Sequence, residues 1–138
     1  MTKYYVDSCI WLNLLNKEQI KIQGLPVWKI AELFLQQYKG DIIISDFVRR
    51  EIIRKINFPE AILLIEKNAE AIVVKEEEIT LAREIESKER YRLSFFDCIH
   101  IATAKTRNYT LITRDKELLL RGKEYSNTLK PETIMYWF

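Results

Sequence analysis

The sequence predicts an α/β fold with a central, mostly parallel sheet of four to five strands. Two observations carry this. Four short apolar runs, Tyr4–Val6, Ile42–Ile44, Ala71–Val74 and Thr110–Ile112, lack the polar–apolar alternation of a strand with one wet face. Strands covered on both faces have that pattern. The stretches between them have helical periodicity, and strands alternating with helices signal βαβ units. The length of 138 residues suits one domain, expected over residues 1–138. A chain of this size buries about two-thirds of the surface it exposes when unfolded.

Taken in order, strand Tyr4–Val6 runs into a helix over 8–16, and residues 17–24 connect it to a helix over 25–39. That helix carries an apolar stripe: Trp28, Ile30, Ala31, Leu33, Phe34, Leu35 and Tyr38. The stripe reads equally as core and as a face for a second copy or a partner protein. Lys39-Gly40-Asp41 ends it. Strand Ile42–Ile44 precedes a helix over 46–56, and Asn57-Phe58-Pro59 punctuates before a helix over 59–68. Strand Ala71–Val74 leads to a helix over 76–90. The helix over 94–107 contains FFDCIHIATA, apolar almost all round, which predicts a buried central helix. Strand Thr110–Ile112 and a helix over 115–121 complete the core pattern. The tail over 126–138 has the composition of an added edge strand.

Composition excludes several function classes. With 22 Lys+Arg against 20 Asp+Glu the net charge is +2, so any nucleic-acid contact must come from a local patch. Three glycines (Gly24, Gly40, Gly122) cannot write a P-loop or a dinucleotide-binding turn. Cys9 and Cys98 form no CxxC pair and His100 is the one histidine, which excludes a zinc ribbon, a disulfide scaffold and a multi-histidine metal cage. No apolar run reaches the roughly 20 residues of a membrane span. The N-terminal MTKYYVDSC has no signal-like apolar run, and the expected location is the cytoplasm.

Four acids stand where acids are costly. Asp7 directly follows the first strand and Asp115 follows the last core strand. Glu51 falls at the edge of the apolar face of its helix, and Asp97 opens the buried helix. Each has a local alternative. Asp7 and Asp115 are placed as N-caps, and Ser94 with Asp97 three residues on matches a capping box. Together they converge on the carboxyl ends of the strands, where open parallel sheets bind ligands. Two carboxylates 4 Å apart repel by roughly 4 kcal/mol at an effective dielectric near 20, so such a cluster calls for protonation or a divalent cation. An all-oxygen set suits Mg²⁺ or Mn²⁺. His100, inside the apolar helix, reads as a satisfied core residue, and the cysteines read as small buried side chains.

The segments YYVDSCIWLNLL, ISDFVRREI, LSFFDCIHIATA and TLITRDKEL, in that order, resemble the PIN-domain nucleases, and among them the VapC-type toxin ribonucleases of toxin–antitoxin pairs. The resemblance spans Tyr4 to about Leu118. It implies a three-layer α/β/α fold and a metal-dependent endoribonuclease that hydrolyses phosphodiesters of single-stranded or structured RNA, with Mg²⁺ or Mn²⁺ as cofactor. It makes Asp7, Glu51, Asp97 and Asp115 the catalytic, metal-binding acids, with Thr113 and Ser8 orienting them. Cys9 departs from the Asn or Ser of many members, and any polar contact made there is expected to be lost. EYSNTLKPETIMYWF matches no motif of the family.

Arg114, Arg49 and Arg50 are the substrate-binding candidates. Arg54, Arg92, Lys105, Arg107 and Lys116 are further cations of the kind that contact phosphate. Trp11, Tyr38, Tyr91 and Phe95 are of the type that stacks bases, although Trp11 and Phe95 also read as core. The implied partners are RNA, a cognate antitoxin and a second copy of the chain, with no membrane. Two alternatives share the fold: an RNA-processing nuclease outside a toxin–antitoxin system, and a scaffold that binds RNA or a partner without cutting.

Overall fold

The apolar runs pair with one another because each is too short and too hydrophobic to stand at a wet surface. The computed structural model describes residues 1–56 and 59–136. Strand β1 (Tyr4–Val6) leads into α1 (Ser8–Leu15). A small hairpin, β2 (Lys21–Ile22) and β3 (Leu25–Pro26), precedes α2 (Val27–Gln37). Then come β4 (Ile42–Ser45), α3 (Asp46–Lys55), α4 (Pro59–Asn68) and β5 (Glu70–Ile72). The chain continues through α5 (Glu76–Lys88), α6 (Phe95–Arg107), β6 (Thr110–Ile112), α7 (Lys116–Gly122), β7 (Thr128–Leu129) and a 3-10 turn over Pro131–Thr133.

Five strands form one sheet in the order β5-β4-β1-β6-β7, and every pairing in it is parallel. Parallel neighbours need crossover connections, and helices supply them. The three central strands are almost wholly buried, and Tyr5, Val6, Leu111 and Ile112 have no exposed surface. The core runs from this sheet into α1, α2 and α6 through Trp11, Ile30, Phe34, Ile99 and Ile101. As its all-round apolar sequence predicts, α6 is buried along most of its length.

Three local features differ from the sequence expectation. The third apolar run, expected over Ala71–Val74, pairs one residue earlier, as β5, and Glu70 and Ala71 are exposed there. An edge strand has one neighbour, so a short apolar run does not guarantee burial. Residues 17–24 are not wholly loop, and α2 begins two residues late. Gln23 (φ 53°) and Gly24 (φ 83°) both take the left-handed conformation and join Ile22 to Leu25, the loop geometry of a tight two-residue hairpin.

The tail adds edge strand β7, parallel to β6, and then crosses α2. There Tyr38 donates its hydroxyl to the Ile134 carbonyl, and the Gln37 amide bonds the Tyr136 backbone in both directions. The stripe on α2 is core at Ile30, Ala31, Phe34 and Leu35. The Asn57-Phe58 punctuation, Trp137 and Phe138 lie outside the described residues.

Candidate metal centre

Because every strand of the main sheet points the same way, the chain leaves β1, β4 and β6 at one edge. The first residue out of β1 is Asp7, whose N–H donates to the Ile112 carbonyl of β6 at 2.9 Å. Its carboxylate is buried and held from three sides. Oδ1 accepts from the Ser8 N–H at 2.8 Å, and Oδ2 accepts from the Thr113 hydroxyl at 2.8 Å and the Cys9 thiol at 3.3 Å. Ser8 thus contacts Asp7 through its backbone, and Thr113 does so through its side chain. Cys9 keeps a polar contact that its departure from Asn or Ser was expected to remove, since a thiol is a weak donor. Burial, then the Asp7 charge, pushes the Cys9 thiol far up, and burial pushes Cys98 up to about 12. Neither is a nucleophile at neutral pH.

Asp115 caps α7 by accepting from the Leu118 N–H at 2.9 Å, while its own N–H donates to the Thr113 hydroxyl oxygen at 3.1 Å. Thr113 thus joins Asp7 to the Asp115 backbone. At the start of α6, Ser94 accepts from the Asp97 N–H at 3.1 Å. Among the described residues the Asp97 carboxylate returns no bond to Ser94, so only half of the capping box forms. Its carboxyl is pushed up to about 6, by burial first and then by the charges of Asp7, Asp115 and Glu51, against an opposing pull from His100. The four acids therefore share one field. Among the described residues no lysine or arginine forms an ion pair with any of them.

Glu51, on the second turn of α3, meets His100 of α6: Oε1 lies 2.7 Å from His100 Nε2, and Asp7 Oδ1 lies 3.7 Å from the same nitrogen. His100 Nδ1 is 2.7 Å from the Tyr5 hydroxyl, itself 2.6 Å from Ser45 Oγ. Burial pulls the imidazole toward neutrality, but the Glu51 hydrogen bond and the charges of Asp7, Glu51 and Asp97 outweigh it and leave its pKa raised. The expectation of a buried, satisfied histidine holds. That its partner is a site acid was not foreseen. The available signal was spacing, since Asp97 and His100 are three apart on one helix and share a face.

The donor set suits a divalent cation. Asp7, Glu51 and His100 each place a ligand atom within 4.8 Å of the others. The two carboxylates suit Mg²⁺ or Mn²⁺, and the imidazole beside them is bonded on both nitrogens, to Glu51 and to Tyr5. Asp97, with no cation of its own, adds charge that such an ion would neutralise.

The basic and aromatic candidates divide. Arg114 lies 2.8 Å from Glu132 and Arg107 is 2.8 Å from Glu78, both largely buried. Arg49 pairs with Glu66 at 3.0 Å. Arg50, with 58% of its side chain exposed and Asp46 at 4.0 Å, stands over the Phe47 ring. Arg54 stands over Phe96, and the Phe47 and Phe96 rings meet edge to face, with centroids 5.1 Å apart. Trp11 is core, Phe95 is half-buried under Arg83, and Tyr91 is exposed.

A parallel α/β/α core with acids gathered at the carboxyl ends of its strands places a ligand site at that edge, and the family can be stated. The profile of the PIN domain family matches residues 4–123, so the chain belongs to the PIN domain family. Solved structures agree on the fold. A toxin–antitoxin complex from Klebsiella pneumoniae superposes with a TM-score of 0.69 at 17% identity, covering 94% of this chain and 98% of that one. The sarcin–ricin loop cleaving toxin VapC20 from Mycobacterium tuberculosis gives 0.69 at 16% identity, covering 91% and 98%. DNA-bound VapBC from Salmonella typhimurium gives 0.67 at 16% identity, covering 95% and 99%. A search of curated proteins found no match.

Proposed function

We propose that the protein is a metal-dependent endoribonuclease of the VapC type, the toxin of a toxin–antitoxin pair, acting on RNA in the cytoplasm with Mg²⁺ or Mn²⁺. The observation that carries this reading is the convergence of Asp7, Glu51, Asp97 and Asp115 on one edge of the sheet, with Asp97 pushed up to about 6 and no lysine or arginine paired with them among the described residues. Asp7 and Asp97 are the direct metal ligands, and Glu51 and Asp115 bind directly or through water. Thr113 and the Ser8 N–H hold Asp7 in one orientation. Bound there, the cation supplies hydroxide at neutral pH and offsets the charge that builds on the phosphate. Arg50 contacts the RNA backbone beside the acids, with Arg49 and Arg114 contributing once released from their glutamates. A cognate antitoxin and a homodimer are the protein partners of this reading, and the toxin–antitoxin titles of structures with the same fold support the first.

The test is cleavage of labelled RNA, both single-stranded and a sarcin–ricin loop hairpin, with Mn²⁺, Mg²⁺ or EDTA. Wild type cuts with metal and not with EDTA, and Asp97→Asn does not cut. A wild type that binds RNA and cuts nothing with either metal supports the scaffold reading instead.

A further inference from the structure

We propose that His100 is a positioning residue for Glu51: it occupies one carboxylate oxygen and leaves the other as the single ligand atom Glu51 offers to a cation. This rests on the metal-centre reading above. His100 Nε2 points at Glu51 Oε1 at 2.7 Å and toward Asp7 Oδ1 at 3.7 Å. Ionised carboxylates only accept, so Nε2 carries a proton. With the ring neutral, His100 Nδ1 accepts from the Tyr5 hydroxyl at 2.7 Å. The Tyr5 oxygen accepts from Ser45, 2.6 Å away, and Ser45 Oγ accepts from the Val48 N–H at 3.1 Å. Each donor has an acceptor, and the chain has one consistent direction.

The chain links the elements that deliver the acids. Ser45 ends β4 and caps α3, which carries Glu51, and Tyr5 is two residues before Asp7 on β1. His100 and Tyr5 have no exposed surface, so the ring has no room to turn away. Ile99, Ile101, Ala102 and Ala104 make most of the surrounding buried helix apolar, so a titratable ring at position 100 needs the partners it has. An imidazole with both nitrogens matched, one of them to a site acid, is the arrangement that orients metal-binding groups elsewhere in proteins.

Mn²⁺ binding by calorimetry on the full chain tests this, with folding followed by circular dichroism. His100→Leu is expected to weaken Mn²⁺ binding about 10–100-fold. His100→Gln keeps a nitrogen donor at similar reach and is expected to bind within about threefold of wild type. Tyr5→Phe frees the ring's far side and is expected to fall between them. A folded His100→Leu that binds Mn²⁺ as wild type does overturns the proposal while leaving the nuclease reading intact. If His100→Leu does not fold, Tyr5→Phe decides, and unchanged Mn²⁺ affinity there overturns it. Loss in His100→Gln as large as in His100→Leu, together with histidine-nitrogen coupling to Mn²⁺ in pulsed electron paramagnetic resonance, makes the imidazole a direct ligand and also overturns it. A wild type that neither binds Mn²⁺ nor cuts RNA removes both readings.

Discussion

Glu78 and Asp97 each sit in the first turn of a helix, α5 and α6, and their surroundings are opposite. Glu78 is 3% exposed and fully answered. Oε1 accepts from the Lys75 N–H at 2.8 Å and Arg107 Nη2 at 2.9 Å, while Oε2 accepts from Thr106 at 2.7 Å and Arg107 Nε at 2.8 Å. Burial works against its charge, but the Arg107 and Lys75 bonds outweigh burial and hold its carboxyl below the usual range. Asp97 is surrounded by other acids and is pushed up to about 6. The first arrangement ties the start of α5 to the end of α6. The second stores repulsion that a cation would release. A buried acid by itself says little, and its partners decide whether it is structural or waiting for a ligand.

Four changes break or sharpen this contrast. The largest effect should come from Arg107→Leu, which leaves the Glu78 charge buried without its cation at a cost of about 3–5 kcal/mol, read as a fall in the urea midpoint. Removing the charge of Asp97 should do the reverse. The carboxyl shift from about 4 to about 6 corresponds to roughly 2–3 kcal/mol. Because the folded-state value is raised, that penalty is absent below about pH 4 and complete above about pH 6. In EDTA, therefore, wild type should lose stability relative to Asp97→Asn as pH rises from 4 to 6, and Asp97→Asn should be the more stable at pH 7. Glu78 works in the other direction: its contribution is present at neutral pH and disappears as pH falls through its lowered value. Adding Mn²⁺ at about a hundred times its Kd should raise wild-type stability by about 2.7 kcal/mol and Asp97→Asn by much less, measured by thermal melts. The smallest effect should come from Thr113→Val. Losing its bond to Asp7 should cost about 1 kcal/mol and weaken Mn²⁺ binding more than it lowers Tm, as calorimetry and melts together would show.

Much of the fold was legible because it follows from local pattern. The central strands and all seven helices among the described residues come from apolar periodicity, and the position of Asp7, Thr113 and Asp115 follows from their lying just beyond strand ends in a parallel sheet. β5 was misread as doubly covered because an apolar run says nothing of how many neighbours a strand has. The hairpin at Gln23-Gly24 was missed because two-residue strands leave almost no periodic signal. The cation candidates show the same limit. Arg107 and Arg114 look as available as Arg50 in the sequence, yet the first two are committed to Glu78 and Glu132.

By itself the sequence determined that helices alternate with buried strands, that four acids are placed at strand ends and buried helix faces, and that a zinc ribbon, a multi-histidine cage or a nucleotide loop has no residues to form it. Those are statements about spacing along one chain. The tertiary structure alone decided which acids are compensated and which are not. It set His100 against Glu51, 49 residues away, and against Tyr5, 95 residues away. Local periodicity tells which face of a helix is buried but not which side chain of another element it meets, and the electrostatics of a buried carboxylate depends on that neighbour.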